Sequence, residues 1–165
     1  MVADGLLTRQ RYREVPPRVD YELTERAQAL LPVLGALARW GYRWAWDGPR
    51  SDEAIDVGAI FRVAPGLIEP GEIRGLVELT VTRPDGVQRS YAIAVEDDAV
   101  TIEEREAPEA EAQIAGTEAD WIKALGPELD RDALRVAGDE RLALTVLDAL
   151  AGAGLRAEAG ADIPA

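Results

Sequence analysis

The pattern of apolar and polar residues first predicts a two-stranded ribbon near the start of the chain. Val19, Tyr21 and Leu23 alternate with acidic residues, as in a half-buried strand, and residues 6–13 alternate more loosely. Pro16-Pro17 between these segments cannot donate ladder hydrogen bonds, so the pair marks the tip of a hairpin.

A helix is expected directly after the ribbon, from residue 25 to the mid-40s, with Thr24 as its N-cap and a kink at Pro32. Its apolar residues form two stripes, one of Ala27, Leu30, Leu31, Leu34, Leu37 and Ala38 and one of Val33, Ala36 and Trp40. A helix with two apolar sides usually has two neighbours. One would be its own hairpin and the other a partner chain, and burial by a second domain of the same chain is the alternative.

An antiparallel meander is predicted from residue 72 onward. Apolar alternation recurs in three short segments, separated by the turns Arg83-Pro84-Asp85-Gly86 and Glu96-Asp97-Asp98. The strand faces comprise Ile73, Val77, Leu79 and Val81, then Val87, Arg89, Tyr91, Ile93 and Val95, then Val100 and Ile102. The preceding segment, residues 54–63, fits either a short helix or a strand.

The last third of the chain predicts helices with clear start signals. Residues 113–115 could add a short strand, and Thr117 with Asp120 fits a capping box. The pattern from Asp139 to Leu150 predicts an amphipathic helix with Leu144, Leu147 and Leu150 on its core side and Leu142 and Val146 widening the stripe. Residues 153–165 lack periodicity, so we expect a loose tail. The fold class is therefore α+β.

Charge is distributed unevenly along the chain. Residues 1–50 carry eight arginines and six acidic residues, whereas residues 51–165 carry ten basic and 25 acidic residues. Because phosphate contacts dominate nucleic-acid affinity, any contact with DNA must come from the first segment. The simplest interpretation of the many acidic residues in 51–165 is that they form a solvated surface.

The residue types restrict the chemistry. Cysteine and histidine are both absent, which removes disulfides, thiol nucleophiles, imidazole catalysis and nearly all zinc sites. The acidic clusters do not follow the calcium-loop pattern, and no phosphate loop or nucleophile elbow occurs. We therefore expect no enzyme, no catalytic residue, no metal and no cofactor. Without a signal peptide or a bilayer-spanning run, the expected location is the cytoplasm, with no membrane partner.

Residues 12–25, the Leu-Leu-Pro-Val-Leu run at 30–34 and Arg39-Trp40-Gly41 resemble the wing and final helix of HxlR-type winged helix-turn-helix regulators. The resemblance implies DNA contact through the wing arginines Arg9, Arg11, Arg13 and Arg18, with pairing to Asp20 and Glu22 as the alternative. It also implies a homodimer through Leu30, Val33, Leu34, Leu37 and Trp40. The family's recognition helix would precede Met1, so either the reading frame starts at Met1 or Met1 is an internal methionine of a longer regulator.

Tyr91 to Asp98 and then Val136-Ala137-Gly138-Asp139 are similar to motifs of the sterol carrier protein type-2 fold, although Asp98-Ala99 stands where that family usually has a glycine turn. The resemblance implies an apolar ligand space between sheet and helices. Its lining would be Val77, Leu79, Tyr91, Ile93, Trp121, Leu144 and Leu147. A fully packed domain without a ligand is the alternative.

Four segments follow: a wing and dimerisation helix (1–47), a linker (48–54), a ligand-binding domain (55–152) and a flexible tail (153–165). The leading hypothesis is a ligand-responsive transcriptional regulator with a sensor domain for a small apolar, lipid-like ligand. Alone, this chain should bind DNA weakly. The alternatives are a non-DNA-binding carrier of lipid-like metabolites and a dimerising interaction module.

Overall fold

A computed structural model describes residues 1–12, 18–44, 55–69, 73–126 and 129–151. The N-terminal ribbon consists of β1 (Leu7–Tyr12) and β2 (Arg18–Leu23), which pair antiparallel from Leu7 opposite Leu23 to Tyr12 opposite Arg18. The predicted ribbon is thus confirmed, while its Pro16-Pro17 tip lies outside the described residues.

Two helices follow the ribbon instead of one. They are α1 (Glu25–Gln28) and α2 (Leu31–Trp44), separated by a turn at residues 29–30. The predicted N-cap is confirmed, because the Thr24 hydroxyl accepts from the Ala27 N–H at 3.3 Å. The predicted continuous helix with a kink at Pro32 is wrong. Pro32 is the second residue of α2. Backbone N–H groups in the first turn have no intrahelical acceptor, so the N–H that proline lacks costs the helix no hydrogen bond.

A five-stranded sheet forms the body of the second domain, in the order β5-β4-β3-β6-β7. Its strands are β3 (Gly75–Thr82), β4 (Gln88–Val95), β5 (Val100–Glu103), β6 (Ala112–Thr117) and β7 (Arg135–Gly138). The meander β3–β4–β5 is antiparallel as predicted. β6 pairs parallel to β3, with Leu79 opposite Ile114, and antiparallel to β7. The sheet is therefore mixed, and the α+β class is confirmed.

Four helices accompany the sheet: α3 (Val57–Arg62), α4 (Ala64–Leu67), α5 (Glu118–Leu125) and α6 (Glu140–Leu150). The sequence pattern of residues 54–63 fitted either a short helix or a strand, and the structure forms helix α3 there. The capping box at α5 is confirmed, since Thr117 and Asp120 each accept from the other's backbone N–H. Asp139 caps α6 by accepting from the Leu142 N–H at 3.0 Å.

The core side of α6 differs from the prediction at one position. Leu142, Val146, Leu147 and Leu150 are buried, but Leu144 is 41% exposed. At about 100° of rotation per residue, these buried residues share one side of the helix, and Leu144 points about 130° away from the centre of that side. The prediction that Leu144 faces the core is therefore wrong.

Aromatic side chains fill the space between sheet and helices. Phe61 of α3 meets the rings of Tyr91 and Trp121 edge-on, with centroids 5.4 and 4.8 Å away. The Trp121 indole N–H donates to the Thr80 carbonyl at 3.0 Å, so its one polar group is satisfied where the ring is buried. Around these rings pack the apolar residues of both layers, among them Val77, Leu79, Ile93, Ile114, Leu125 and Leu147.

Helix α2 docks on this domain through α4. Gly35 of α2 and Gly66 of α4 face one another so closely that a Cβ on Gly35 would overlap the Gly66 carbonyl. Ala38, one turn further along α2, is partly buried against the core cluster. The inner neighbour of α2 is therefore the second domain of the same chain, the alternative that the sequence had left open. Among the described helices, none is long and apolar enough to span a bilayer.

Candidate functional sites

The β1–β2 ribbon carries the predicted wing arginines. Arg9 is exposed, and its guanidinium carbon lies 6.0 Å from the centroid of the Tyr21 ring, a cation–π geometry. By register, Arg9 stands opposite Tyr21, and Glu22 stands opposite Thr8. Residues directly opposite in an antiparallel pair share a face, so Arg9 and Glu22 lie on different faces of the ribbon.

The other wing arginines are placed by the backbone alone. Arg11 lies opposite Val19, and Arg18 lies opposite Tyr12 at the far end of the pairing. Arg13 lies outside the described residues. The DNA-contact role of the four arginines stays a prediction.

The outer side of α2 and the turn before it form one exposed apolar face. It comprises Leu30, Val33, Leu34, Leu37, Trp40 and Trp44, which are 45–67% exposed. All five predicted dimer residues belong to it. The spacing of three and four residues places them along one side of the helix, roughly opposite the side that carries Gly35 and Ala38. We call this set the outer face.

The residues predicted to line a ligand space divide into three groups. Val77, Leu79, Ile93, Trp121 and Leu147 are buried in the core cluster. Leu144 is on the exposed side of α6. Tyr91 is buried in the core and also borders a surface cleft with its hydroxyl end. Their role in ligand binding stays a prediction.

The cleft lies between α3, the β3–β4 turn and the start of α5, and has a volume of about 820 Å³. Its apolar lining includes Ile55, Val57, Val81, Pro84 and Ile122, and its polar lining comprises Asp56, Arg62, Arg83, Asp85, Arg89, Tyr91 and Glu118. Gly58 belongs to the wall, and a Cβ there would overlap the Tyr91 hydroxyl. The glycine therefore lets the hydroxyl end of Tyr91 reach the cleft.

An ion network borders the cleft around Glu104. Arg62 donates to Glu104 at 2.9 Å, Arg89 donates to the other oxygen of the same carboxylate, and Arg62 also reaches Asp56 at 3.4 Å. The hydrogen bond from Arg62 lowers the pKa of Glu104, and Arg89 contributes in the same direction. Burial raises the pKa of Tyr91, against the opposing charge of Arg62. At neutral pH, Glu104 is therefore ionised and the Tyr91 hydroxyl is uncharged.

Sequence reasoning missed this cleft. It interpreted Arg83-Pro84-Asp85-Gly86 only as a turn and Arg89 only as part of a strand face, and it gave neither Arg62 nor Glu104 a functional role. These residues come from α3, the β3–β4 hairpin and the loop after β5, so no local spacing links them. The described residues also contain no cluster of three acidic side chains that could hold a metal ion.

Comparison with protein families supports the N-terminal resemblance. Residues 1–48 match the HxlR-like helix-turn-helix family. An uncharacterized HTH-type transcriptional regulator of Halalkalibacterium halodurans is 51% identical over 41 residues, which are 25% of this chain and 36% of the relative. A second one, from Methanothermobacter thermautotrophicus, is 51% identical over 39 residues, 24% of this chain and 30% of the relative. The chain thus spans about a third of the length of these curated relatives.

Among solved structures, the chain is similar to sterol carrier proteins. The crystal structure of sterol carrier protein 2 like 2 from Aedes aegypti has a TM-score of 0.40 at 13% identity, covering 76% of this chain and 98% of that one. The UbiJ-SCP2 ubiquinone synthesis protein has a TM-score of 0.39 at 12% identity, covering 81% and 98%. A sec-alkyl sulfatase also matches, at a TM-score of 0.45 and 13% identity, but over 56% of this chain and only 16% of the sulfatase.

The HxlR-type resemblance expected from the sequence is thereby confirmed, and sterol carrier proteins are among the structural neighbours.

Proposed function

We propose that the chain acts in a ligand-responsive transcriptional regulator of the HxlR type, as a homodimer that contacts DNA through the β1–β2 ribbon. The observation that carries the proposal is the division of α2 into two sides. Its inner side docks on α4 through Gly35, while its outer face exposes large apolar residues. Helix α2 would thus join a second copy to the domain that senses the ligand.

The outer face supports dimerisation on two grounds. A contiguous apolar surface with two tryptophans and several leucines is unusual for a monomer and typical of the centre of a protein interface. Residues 27–46 also contain no acidic residue, although the whole chain has a formal net charge of −13. A second copy could therefore pack on this face without bringing carboxylates of the two helices together.

Contact with DNA is supported by the charge of the ribbon. Arg9 is exposed beside Tyr21, and residues 1–50 carry eight basic and six acidic residues, whereas residues 51–165 carry ten basic and 25 acidic ones. Arginines of a wing bind phosphates or enter the minor groove, which adds affinity and little sequence specificity. We therefore expect weak, strongly salt-dependent binding by this chain.

The response to a ligand needs a physical connection between the two domains. Gly66 belongs to α4, which follows α3 after the single residue Val63. Since α3 borders the cleft and α4 contacts α2, a change at the cleft can reach the helix that carries the outer face.

Dimerisation can be tested with Leu34→Asp. Light scattering after size exclusion should show a dimer for the unaltered chain and a monomer for this variant, because a carboxylate would be desolvated in the interface. Val87→Asp is a matched control, since Val87 is 49% exposed and Leu34 45%, but Val87 lies in the β3–β4 turn. A monomer for the unaltered chain, or dimers of both variants, would contradict the proposal.

Binding to DNA can be tested by fluorescence anisotropy with the promoter region of the chain's own operon. Affinity should fall steeply with salt, and Arg9→Gln should weaken binding further. Arg105→Gln, which removes an arginine paired with Glu103 and Glu109, is the control. A stable dimer without salt-sensitive binding would favour the non-DNA-binding alternatives, a carrier or an interaction module.

A further inference from the structure

The interior of the second domain is filled by its own side chains. Phe61 contacts both Tyr91 and Trp121 edge-on between sheet and helices, and all three rings are at most 2% exposed. Interiors packed in this way accept a guest only by repacking. The surface cleft beside α3, by contrast, has about 820 Å³ of open space, which is within the range of small-molecule sites.

The cleft offers an apolar surface and a charged rim. Ile55, Pro84 and Ile122 lie before α3, in the β3–β4 turn and in α5, and they supply apolar surface for the body of a ligand because none of the three is buried. Arg62 and Arg89 at the rim are already bound to Glu104. The hydrogen-bonding capacity of these two guanidinium groups is therefore partly used.

Arg83 differs from the other two arginines. It is exposed at the rim, and within the described part of the chain its guanidinium has no ion pair or side-chain hydrogen bond. The nearby Asp85 carboxylate instead accepts the Val87 backbone N–H at 3.0 Å. An unpaired arginine in a segment where acidic residues outnumber basic ones 25 to ten can pair with an anion from outside the chain.

The acidic residues of the rim restrict that anion. Asp56, Asp85 and Glu118 border the same cleft, so a dianion such as a phosphate monoester would meet repulsion from several sides. A carboxylate carries a single charge and matches the two-pronged geometry of a guanidinium. The apolar lining then favours a ligand whose remaining part is apolar.

We propose that this cleft is the effector site and takes a small monocarboxylate with an apolar body, its carboxylate on Arg83 and its body against Ile55, Pro84 and Ile122. The effector role of the cleft rests on the proposed function, because ligand binding would act on α2 through α3 and α4. Binding of the carboxylate itself depends only on the cleft.

Isothermal titration calorimetry with octanoate tests the site, with octanol and octylamine as probes of equal chain length. Octanoate should bind the unaltered chain, and Arg83→Gln should weaken binding at least tenfold, since a charge-assisted bidentate pair is lost. Arg83→Lys should retain part of the affinity. Arg74→Gln is the matched control, because Arg74 pairs with Asp97 and is not part of the cleft lining.

Three results would overturn the site: no binding of octanoate, equal binding by Arg83→Gln, or octanol or octylamine binding as tightly as octanoate. Failure of the site is separable from failure of the proposed function. Leu34→Asp should abolish dimers and leave octanoate binding intact. Arg83→Gln should weaken octanoate binding and leave the dimer intact. Slower hydrogen exchange in residues 31–44 on adding octanoate would support transmission to α2, and unchanged exchange would overturn the effector role.

Discussion

Gly35 and Gly66 bring the backbones of α2 and α4 into direct contact. A Cβ on Gly35 would overlap the Gly66 carbonyl, and a Cβ on Gly66 would overlap the carbonyl of Leu31. Close approach of two helices requires residues without side chains at the crossing point. Because no flexible side chain lies between them, neither helix can shift towards the other, and the contact fixes the position of α2 on the second domain.

Gly35→Ala and Gly66→Ala should therefore each separate α2 from α4. We expect a loss of about 1–3 kcal/mol in the free energy of unfolding, as for other overpacked contacts. Hydrogen exchange in residues 31–44 should become faster. Gly41→Ala is the control within α2, because a Cβ there meets nothing within 4 Å. It should stabilise the helix by up to about 1 kcal/mol. Equal behaviour of all three variants would contradict the docking contact.

Phe61→Ala should destabilise the second domain by about 3–5 kcal/mol, because it leaves a cavity between the Tyr91 and Trp121 rings. Urea denaturation followed by tryptophan fluorescence measures the effect. Phe61→Leu fills most of the space and should cost clearly less. A loss below about 1 kcal/mol for the alanine variant would show that the three rings do not form the centre of the core.

Thr117→Ala should lower the free energy of unfolding by about 1 kcal/mol, since it removes the side chain that caps α5. Thr117→Ser keeps the hydroxyl and should be nearly neutral. The hydrogen bonds from Thr117 also lower the pKa of Asp120, through its side chain first and its backbone second. An equal loss for alanine and serine would contradict the capping role.

Glu104 should make the free energy of unfolding depend on pH in the acidic range. Its pKa is lowered in the folded chain by the hydrogen bond from Arg62, so folding favours the ionised form. This contribution is fully present above the ordinary pKa of a glutamate side chain, which the unfolded chain retains, and it is lost as pH falls through the lower folded value. The Glu104 side chain is 41% exposed, so solvent screening limits the contribution to less than about 1 kcal/mol.

Glu104→Gln should accordingly be less stable than the unaltered chain at neutral pH, and the difference should shrink in acid. Urea midpoints at several pH values measure this. Glu106→Gln is the control, because the Glu106 carboxylate has no ion pair in the described part of the chain. A pH-independent difference for Glu104→Gln would show that the ion network does not stabilise the fold.

Local signals in the sequence were sufficient for most elements of secondary structure. The caps at Thr24 and Thr117 depend on one side chain and the next turn, and the meander depends on alternation within single strands. The role of Pro32 was predicted wrongly because a proline is compatible with both a kink and a first turn. Leu144 was misplaced because a leucine-rich helix permits more than one stripe, and packing selects among them.

The sequence by itself determined the ribbon, the capped helices, the α+β class and the likeness of its first 48 residues to the HxlR family, because each depends on residues close together in the chain. Only the tertiary structure decided which side of α2 docks on α4, that β6 runs parallel to β3, and that Arg62, Arg83 and Arg89 border one cleft. These features join residues that are far apart in sequence. They depend on how the helices and strands pack against one another, which local propensities do not specify.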